Sequence, residues 1–285
     1  MFASRPALFA GRFYPARKEE CLRMIDQMSR SVHLDANPVG GVVPHAGWVY
    51  SGRTALLTYH ALRAASPRTV VIFGAVHTLD RNDASLFPAG RWETPLGAAE
   101  IDEEVAQAFE NVPHLRADAG AHADEHSIEV QVPLILAVLG DVRIVPVSVR
   151  PGPHAGEIGK ACAEAALRVR DDVVFVASTD LTHYGPHFGF EPAGHGPAGI
   201  RWAKEVNDRR FVSLIADMDE NAVVPEAAVH HNACGAGAVA AVIAAAKVAG
   251  ATRYVELEHT TSADVTAGGE TPSMSVGYEA GVFVR

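Results

Sequence analysis

Three apolar runs in this chain end on side chains that can hold a metal or move a proton. Gly41-Val-Val-Pro leads to His45, Val71-Ile-Phe-Gly-Ala-Val to His77, and Val173-Val-Phe-Val-Ala-Ser-Thr to Asp180, with His183 three residues later. Imidazole is the commonest metal ligand and the natural proton carrier near neutral pH. A carboxylate near it acts as an acid or base, or orients a ligating ring. A fourth group, Cys234, lies in His230-His-Asn-Ala-Cys-Gly235, at the expected start of an Ala-rich helix. A helix N-terminus favours thiolate, the ligating and nucleophilic form of cysteine. A fifth is the stretch Asp124-Glu125-His126-Ser-Ile-Glu129. On one continuous helix Glu125 and Glu129 would share a face. The acids there read mainly as structural charges at a helix start, with His126 near the site.

Each of these residues has a plainer reading. A histidine can be buried and hydrogen-bonded, an aspartate can cap a helix, and free cysteine is usually a small buried apolar residue. That plainer role is assigned to Cys21 and Cys162, which sit in helical patterns with no histidine nearby. For the others, position carries the argument. Three runs deliver ionisable groups to the same end, and open α/β sheets bind ligands at the carboxyl ends of their strands.

The elements that would do this positioning follow from the apolar pattern. Strands are expected at Gly41–Pro44, Thr69–Gly74, Arg143–Val149, Val173–Ser178, Arg253–Glu258 and Ser273–Val284, with a short edge strand at Ala84–Phe87. Helices are expected at Arg53–Ala65, Asp102–Glu110, Ser127–Leu139, Gly156–Val169, Ile200–Ala216 and Cys234–Val248. Strands alternating with helices predict an α/β fold. Specifically, they predict one three-layer α/β/α domain over residues 1–285 with a mixed, largely buried central sheet. The final run contains two glycines and is expected to bend or form a hairpin.

Composition narrows the function classes. The 285 residues are 48% hydrophobic and 20% charged, with a formal net charge of -10 and a pI near 5.7. That balance fits an ordinary globular protein and argues against a nucleic-acid partner, which would call for a basic face. No apolar run reaches the length of a membrane span, so no membrane partner is expected. Three widely spaced cysteines, 21, 162 and 234, point to a reducing, cytoplasmic location rather than a disulfide framework. No phosphate loop, nucleophile elbow or Cys-x-x-Cys pattern is present.

Seven stretches, taken together, resemble one family. They are AGRFYPA (10–16), PHAGWVYSG (44–52), FGAVHT (73–78), EHSIEVQVPLI (125–135), STDLTHYG (178–185), NACG (232–235) and SVGYEAGVF (275–283). They resemble the Memo family, also met as AmmeMemoRadiSam system protein B, and cover nearly the whole chain. The resemblance implies a fold like that of class III extradiol dioxygenases, which hold non-haem Fe(II) with two histidines and a carboxylate. It implies His45 and His77 as the histidine ligands and Cys234 in place of the carboxylate. It also implies His183 as the acid/base, with Asp180 and His126 lining the pocket. Ala75, Thr78 and Ala236 depart from the family pattern, which has a proline, a second histidine and an arginine there. The implied cofactor is a divalent metal, Fe(II) first, with zinc or copper favoured by the softer thiolate. The implied ligand is a small molecule or peptide in the metal pocket. Three activities fit: an iron-dependent oxidoreductase, a non-catalytic metal- or peptide-binding protein, and a zinc hydrolase using His183 or Glu125 as base.

Overall fold

The computed structural model describes residues 4–266 and 273–285. Among these, one sheet of nine strands dominates. Its strands are β1 (Pro38–Val43), β2 (Thr69–Gly74), β3 (Ala84–Leu86), β4 (Leu115–Ala117), β5 (Arg143–Val149), β6 (Val173–Ser178), β7 (His183–Tyr184), β8 (Arg253–Thr261) and β9 (Ser275–Val284). The spatial order is β7-β9-β1-β6-β2-β5-β3-β4, with β8 also paired to β9. β1, β6, β2 and β5 are parallel neighbours, whereas β9 runs antiparallel to β1 and β3 antiparallel to β5. β1, β2 and β6 are buried at every residue, as expected of continuous apolar runs covered on both faces.

Helices flank the sheet. Trp48–Leu62 packs with Val132–Leu139, and Ala155–Val169 packs with Ala236–Val248. The second pair approaches closely because Gly159 has no side chain; a Cβ there would lie 2.0 Å from the carbonyl oxygen of Ala241. A smaller three-stranded sheet, Ser4–Arg5, Arg91–Thr94 and Gly97–Glu100, packs into the same core through Trp92 and Ala99.

Several expectations are corrected. The final segment neither bends nor folds back: β9 is one strand of ten residues. Its glycines serve close approach, since a Cβ at Gly277 would meet Asp208 Oδ2 at 2.1 Å and one at Gly281 would meet the Tyr254 hydroxyl at 2.2 Å. β3 is not an edge strand, because Leu115–Ala117 pairs outside it. The helix expected from Ser127 begins at Val132, after a 3₁₀ turn at Glu129–Gln131. The helix expected from Cys234 begins at Ala236, with Gly235 as its cap. The helix after His45 starts earlier than expected, at Trp48. The expected Ile200–Ala216 helix is divided into Pro197–Trp202, a π-helical turn at Ala203–Asp208, and Arg209–Ala216.

Candidate metal centre

The order β1-β6-β2 sets the site. Val43 lies opposite Ser178, and Phe73 opposite Ala177. The three strands therefore finish side by side, and the chain leaving each brings one polar group to a common point. His45 follows β1, Asp180 follows β6 and His77 follows β2. The imidazoles of His45 and His77 meet edge to face with centroids 5.1 Å apart. Cys234 arrives from the far side, with Sγ 3.2 Å from His45 Nε2.

The ring orientation of each histidine is fixed by a partner behind it. Ser178 Oγ gives its one proton to the carbonyl of Ser127 at 2.7 Å and accepts the Gln131 amide at 3.2 Å. A hydroxyl has only one proton to donate. Toward His45 Nδ1, 3.0 Å away, Ser178 must therefore accept. That places the proton on Nδ1 and leaves the Nε2 lone pair facing Cys234. For His77, Nδ1 lies 3.0 Å from Glu125 Oε1, and its backbone N–H donates to Oε2 at 2.6 Å. A carboxylate only accepts, so Nδ1 again carries the proton and Nε2 is left for the site. Carboxylate- and hydroxyl-backed histidines are the usual supports of metal ligands.

Electrostatics sharpen the picture. Burial works against a charge on Glu125, but the ring and amide of His77 and the amide of Ser127 outweigh it and hold the carboxyl down at about 2. Burial also opposes charging of His77, yet the neighbouring Cys234 and Glu125 carry it up to about 10. Burial, with His77 as a nearby cation, pushes His45 well below its ordinary value. The same two causes bring His126 to about 4. Two imidazoles that burial keeps neutral thus stand beside a third, His77, that the Glu125 carboxylate and the Cys234 contact favour charged in the metal-free protein.

Asp180 is buried, and Oδ1 accepts the backbone N–H groups of His45 at 2.7 Å and Ala46 at 3.3 Å. Its own N–H donates to Cys234 Sγ at 3.3 Å, while the N–H of Cys234 returns to the Asp180 carbonyl at 3.2 Å. Asp180 therefore ties the His45 turn to the Cys234 turn, and desolvation raises its carboxyl. His183 is half-buried and donates from Nδ1 to the Leu181 carbonyl at 3.1 Å. Its Nε2 is free to face the cleft it lines. His126 stacks on His77 at 4.6 Å and 27°, and lies tilted by 42° against Phe13 at 4.7 Å.

Ligand atoms of His45, His77 and His126 all lie within 4.8 Å of one another, so these three form a histidine cluster able to hold a metal ion. Cys234 joins it through the His45 contact. The donor set, two or three imidazoles with a thiol beside them, suits a first-row divalent metal. The cleft above, about 970 Å³, is lined by His45, His77, His126, Asp180 and His183 at its base and by Phe13, Tyr50, Phe188 and Met274 toward its mouth. His187 also lines it, whereas His195 pairs with Glu191 at the surface.

Two sequence readings change here. Glu125 and Glu129 do not share a helical face, because residues 125–128 are not helical and the 3₁₀ turn begins only at Glu129. Glu125 faces His77, while Glu129 forms a buried ion pair with Arg5 at 2.5 Å and accepts Tyr14 Oη at 2.8 Å. With both oxygens of Glu125 engaged, it is not free to act as a base. Ser178 and Arg5 were not singled out from sequence, although Arg5 Nη2 holds the Glu125 carbonyl at 2.8 Å. The only hint was an arginine standing alone in an apolar N-terminal stretch.

The family profile described as Memo-like protein matches residues 5–282. A MEMO1 family protein of Thermococcus onnurineus is 36% identical over 96% of this chain and 97% of its own. One from Thermoplasma acidophilum is 37% identical over 92% of each. An uncharacterized protein from Escherichia coli K12 of known crystal structure shares the fold at a TM-score of 0.51. It is 14% identical, and the match covers 85% of this chain and 98% of that one. With a family match over residues 5–282 and relatives aligned nearly end to end, the chain belongs to the Memo family.

Proposed function

We propose that this protein binds one divalent metal, Fe(II) in the first instance, through His45 Nε2, His77 Nε2 and Cys234 Sγ, and uses it for oxidation of a small organic ligand. The observation that carries this reading is the pair of contacts behind the rings, His45 Nδ1 to Ser178 Oγ and His77 Nδ1 to Glu125 Oε1, which commits both Nδ1 atoms and leaves both Nε2 atoms for an ion, the one on His77 by release of its proton. Cys234 is preferred over His126 as third ligand because His126 stacks nearly parallel on His77. Rings inclined by only 27° aim their in-plane lone pairs poorly at one shared ion, so His126 is assigned to the wall of the pocket.

Bound there, Fe(II) would supply Lewis acidity and a route for electrons to O₂. The chain supplies the rest. His183 Nε2 is the base available to take a proton from a ligand hydroxyl in the cleft, since Nδ1 is committed to the Leu181 carbonyl. Asp180 lines the cleft and holds the His45 turn in register through the two backbone N–H groups it accepts. Phe13, Tyr50, Phe188 and Met274 offer apolar surface to a ligand lying over His45 and His77.

The decisive measurement is metal content of anaerobically purified protein, with and without added Fe(II), beside His77→Ala. The expected result is about one iron per chain, lost in the variant, with O₂ consumption on addition of oxidisable phenols. Iron absent from every preparation would sink the proposal. A second reading, a zinc hydrolase, is favoured by the thiol in the donor set. Its base would be His183 alone, because Glu125 is engaged. Zinc retained through chelation, with ester cleavage and no O₂ uptake, would favour it. A non-catalytic metal- or peptide-binding role is what remains if metal binds and neither reaction occurs.

A further inference from the structure

The loop that carries His183 and the loop that carries Cys234 come from distant parts of the chain, and one unusual turn touches both. The π-helical turn Ala203–Asp208 interrupts the helix between Pro197–Trp202 and Arg209–Ala216. A π turn is rare, and where it occurs it commonly marks a functional position. Here it ends on two consecutive polar residues, Asn207 and Asp208, with relative exposures of 0% and 1%.

Both reach the His183 loop at one residue. Asn207 Nδ2 donates to Thr182 Oγ1 at 3.0 Å, and Asp208 Oδ1 accepts the Thr182 backbone N–H at 3.0 Å. The same Asn207 also reaches the Cys234 loop. Its Nδ2 donates to the His230 carbonyl at 3.0 Å, and its own carbonyl accepts Asn232 Nδ2 at 3.0 Å. Thr182 and Asn232 are buried at 1% and 0%, so these bonds are shielded from competing water. Gly277 completes the cradle: its lack of a side chain admits the Asp208 carboxylate, and its N–H donates to the Thr182 carbonyl at 3.0 Å.

We infer that Asn207 and Asp208 are positioning residues, and that this π turn is a clamp which sets the spacing between the His183 loop and the Cys234 loop. Thr182 immediately precedes His183, and Asn232 lies two residues before Cys234. A change on one side is therefore transmitted to the other through Asn207. For catalysis the inference rests on the metal-centre reading, but the coupling itself does not.

The test reads Cys234 from the opposite loop. Full-length protein is treated with chelator, and alkylation of Cys234 by iodoacetamide is followed by mass spectrometry. Cys21 and Cys162, both with 0% exposure, serve as internal references. Thr182→Val keeps the shape of the side chain and removes the hydroxyl. It is expected to change the Cys234 rate about threefold or more, the range of coupling within one hydrogen-bonded network. In an Asn207→Ala background the same substitution is expected to add nothing. If that background does not fold, Asn207→Leu, closer in volume, replaces it. Arg170→Ala, which breaks an ion pair with Asp102 on another side of the fold, controls for general loosening. An unchanged Cys234 rate in Thr182→Val, an equal effect with and without Asn207, or an equal rise in Arg170→Ala would overturn the clamp. Iron titration of the same proteins separates the two claims, since wild-type protein that takes up no metal defeats the metal centre and leaves the coupling result standing.

Discussion

At the scale of single residues, the site depends less on the side chains that face the cleft than on those that stand behind them. Ser178 and Glu125 decide which nitrogen of His45 and His77 is free. Ser178→Ala and Glu125→Gln are each expected to lower metal affinity about 10–100-fold, the usual cost of losing such support, measured by competition with a chromophoric chelator. The same groups set a pH dependence in chelator-stripped protein. His77 is raised from 6.5 to about 10, so its contribution to stability is complete below about 6.5 and is lost as pH climbs toward 10. Glu125 is lowered from 4.5 to about 2, so its contribution is complete above 4.5 and is lost as pH falls toward 2. His122 and His126, both lowered from 6.5 to about 4, lose theirs as pH falls through that interval. These opposing slopes place the stability maximum near pH 6.5. Urea midpoints at about pH 5, 6.5 and 9 should trace a dome, and Glu125→Gln should flatten its alkaline side. A midpoint still rising at about pH 9 would contradict the His77 assignment.

At the scale of elements, what the sequence disclosed and what it concealed have the same origin. β1, β2 and β6 were legible because strands buried on both faces are written as continuous apolar runs, and the histidines at their ends stood out against them. The roles of Ser178 and Glu125 were not legible. Ser178 meets His45 at a sequence separation of 133 and Glu125 meets His77 at one of 48, and no local pattern encodes either meeting. The glycines of β9 misled for a related reason. In sequence they look like breaks, whereas in the fold they make room for Asp208 and Tyr254. Gly159 belongs to the same class, and it joins Ala155–Val169 to the helix that follows Cys234, roughly two turns beyond it. Gly159→Ala would press a methyl group into the Ala241 carbonyl and is expected to cost about 1–3 kcal/mol by overpacking. Urea denaturation should show the loss, with metal stoichiometry unchanged. Wild-type stability in this variant would mean that the two helices can separate freely.

At the scale of the whole molecule, the proposed ligands lie at positions 45, 77 and 234, and their elements meet only when the sheet is assembled. β1 and β2 are not adjacent to each other; β6, formed a hundred residues later in the chain, is inserted between them. The unfolded chain therefore holds no preformed site, and the ion should bind the native state almost alone. Binding to the native state stabilises it by RT ln(1 + [M]/Kd), about 2.7 kcal/mol at a hundredfold excess over Kd. Thermal unfolding of stripped protein titrated with Fe(II) under nitrogen should show a midpoint that continues to rise with metal concentration. For a domain of this size the rise should be several degrees at that excess. His77→Ala should unfold at a midpoint that is independent of iron. If wild type and variant respond alike, the ion is binding elsewhere, for example at the surface cluster of Asp83, His114 and His154, and the three strand ends do not make a metal centre.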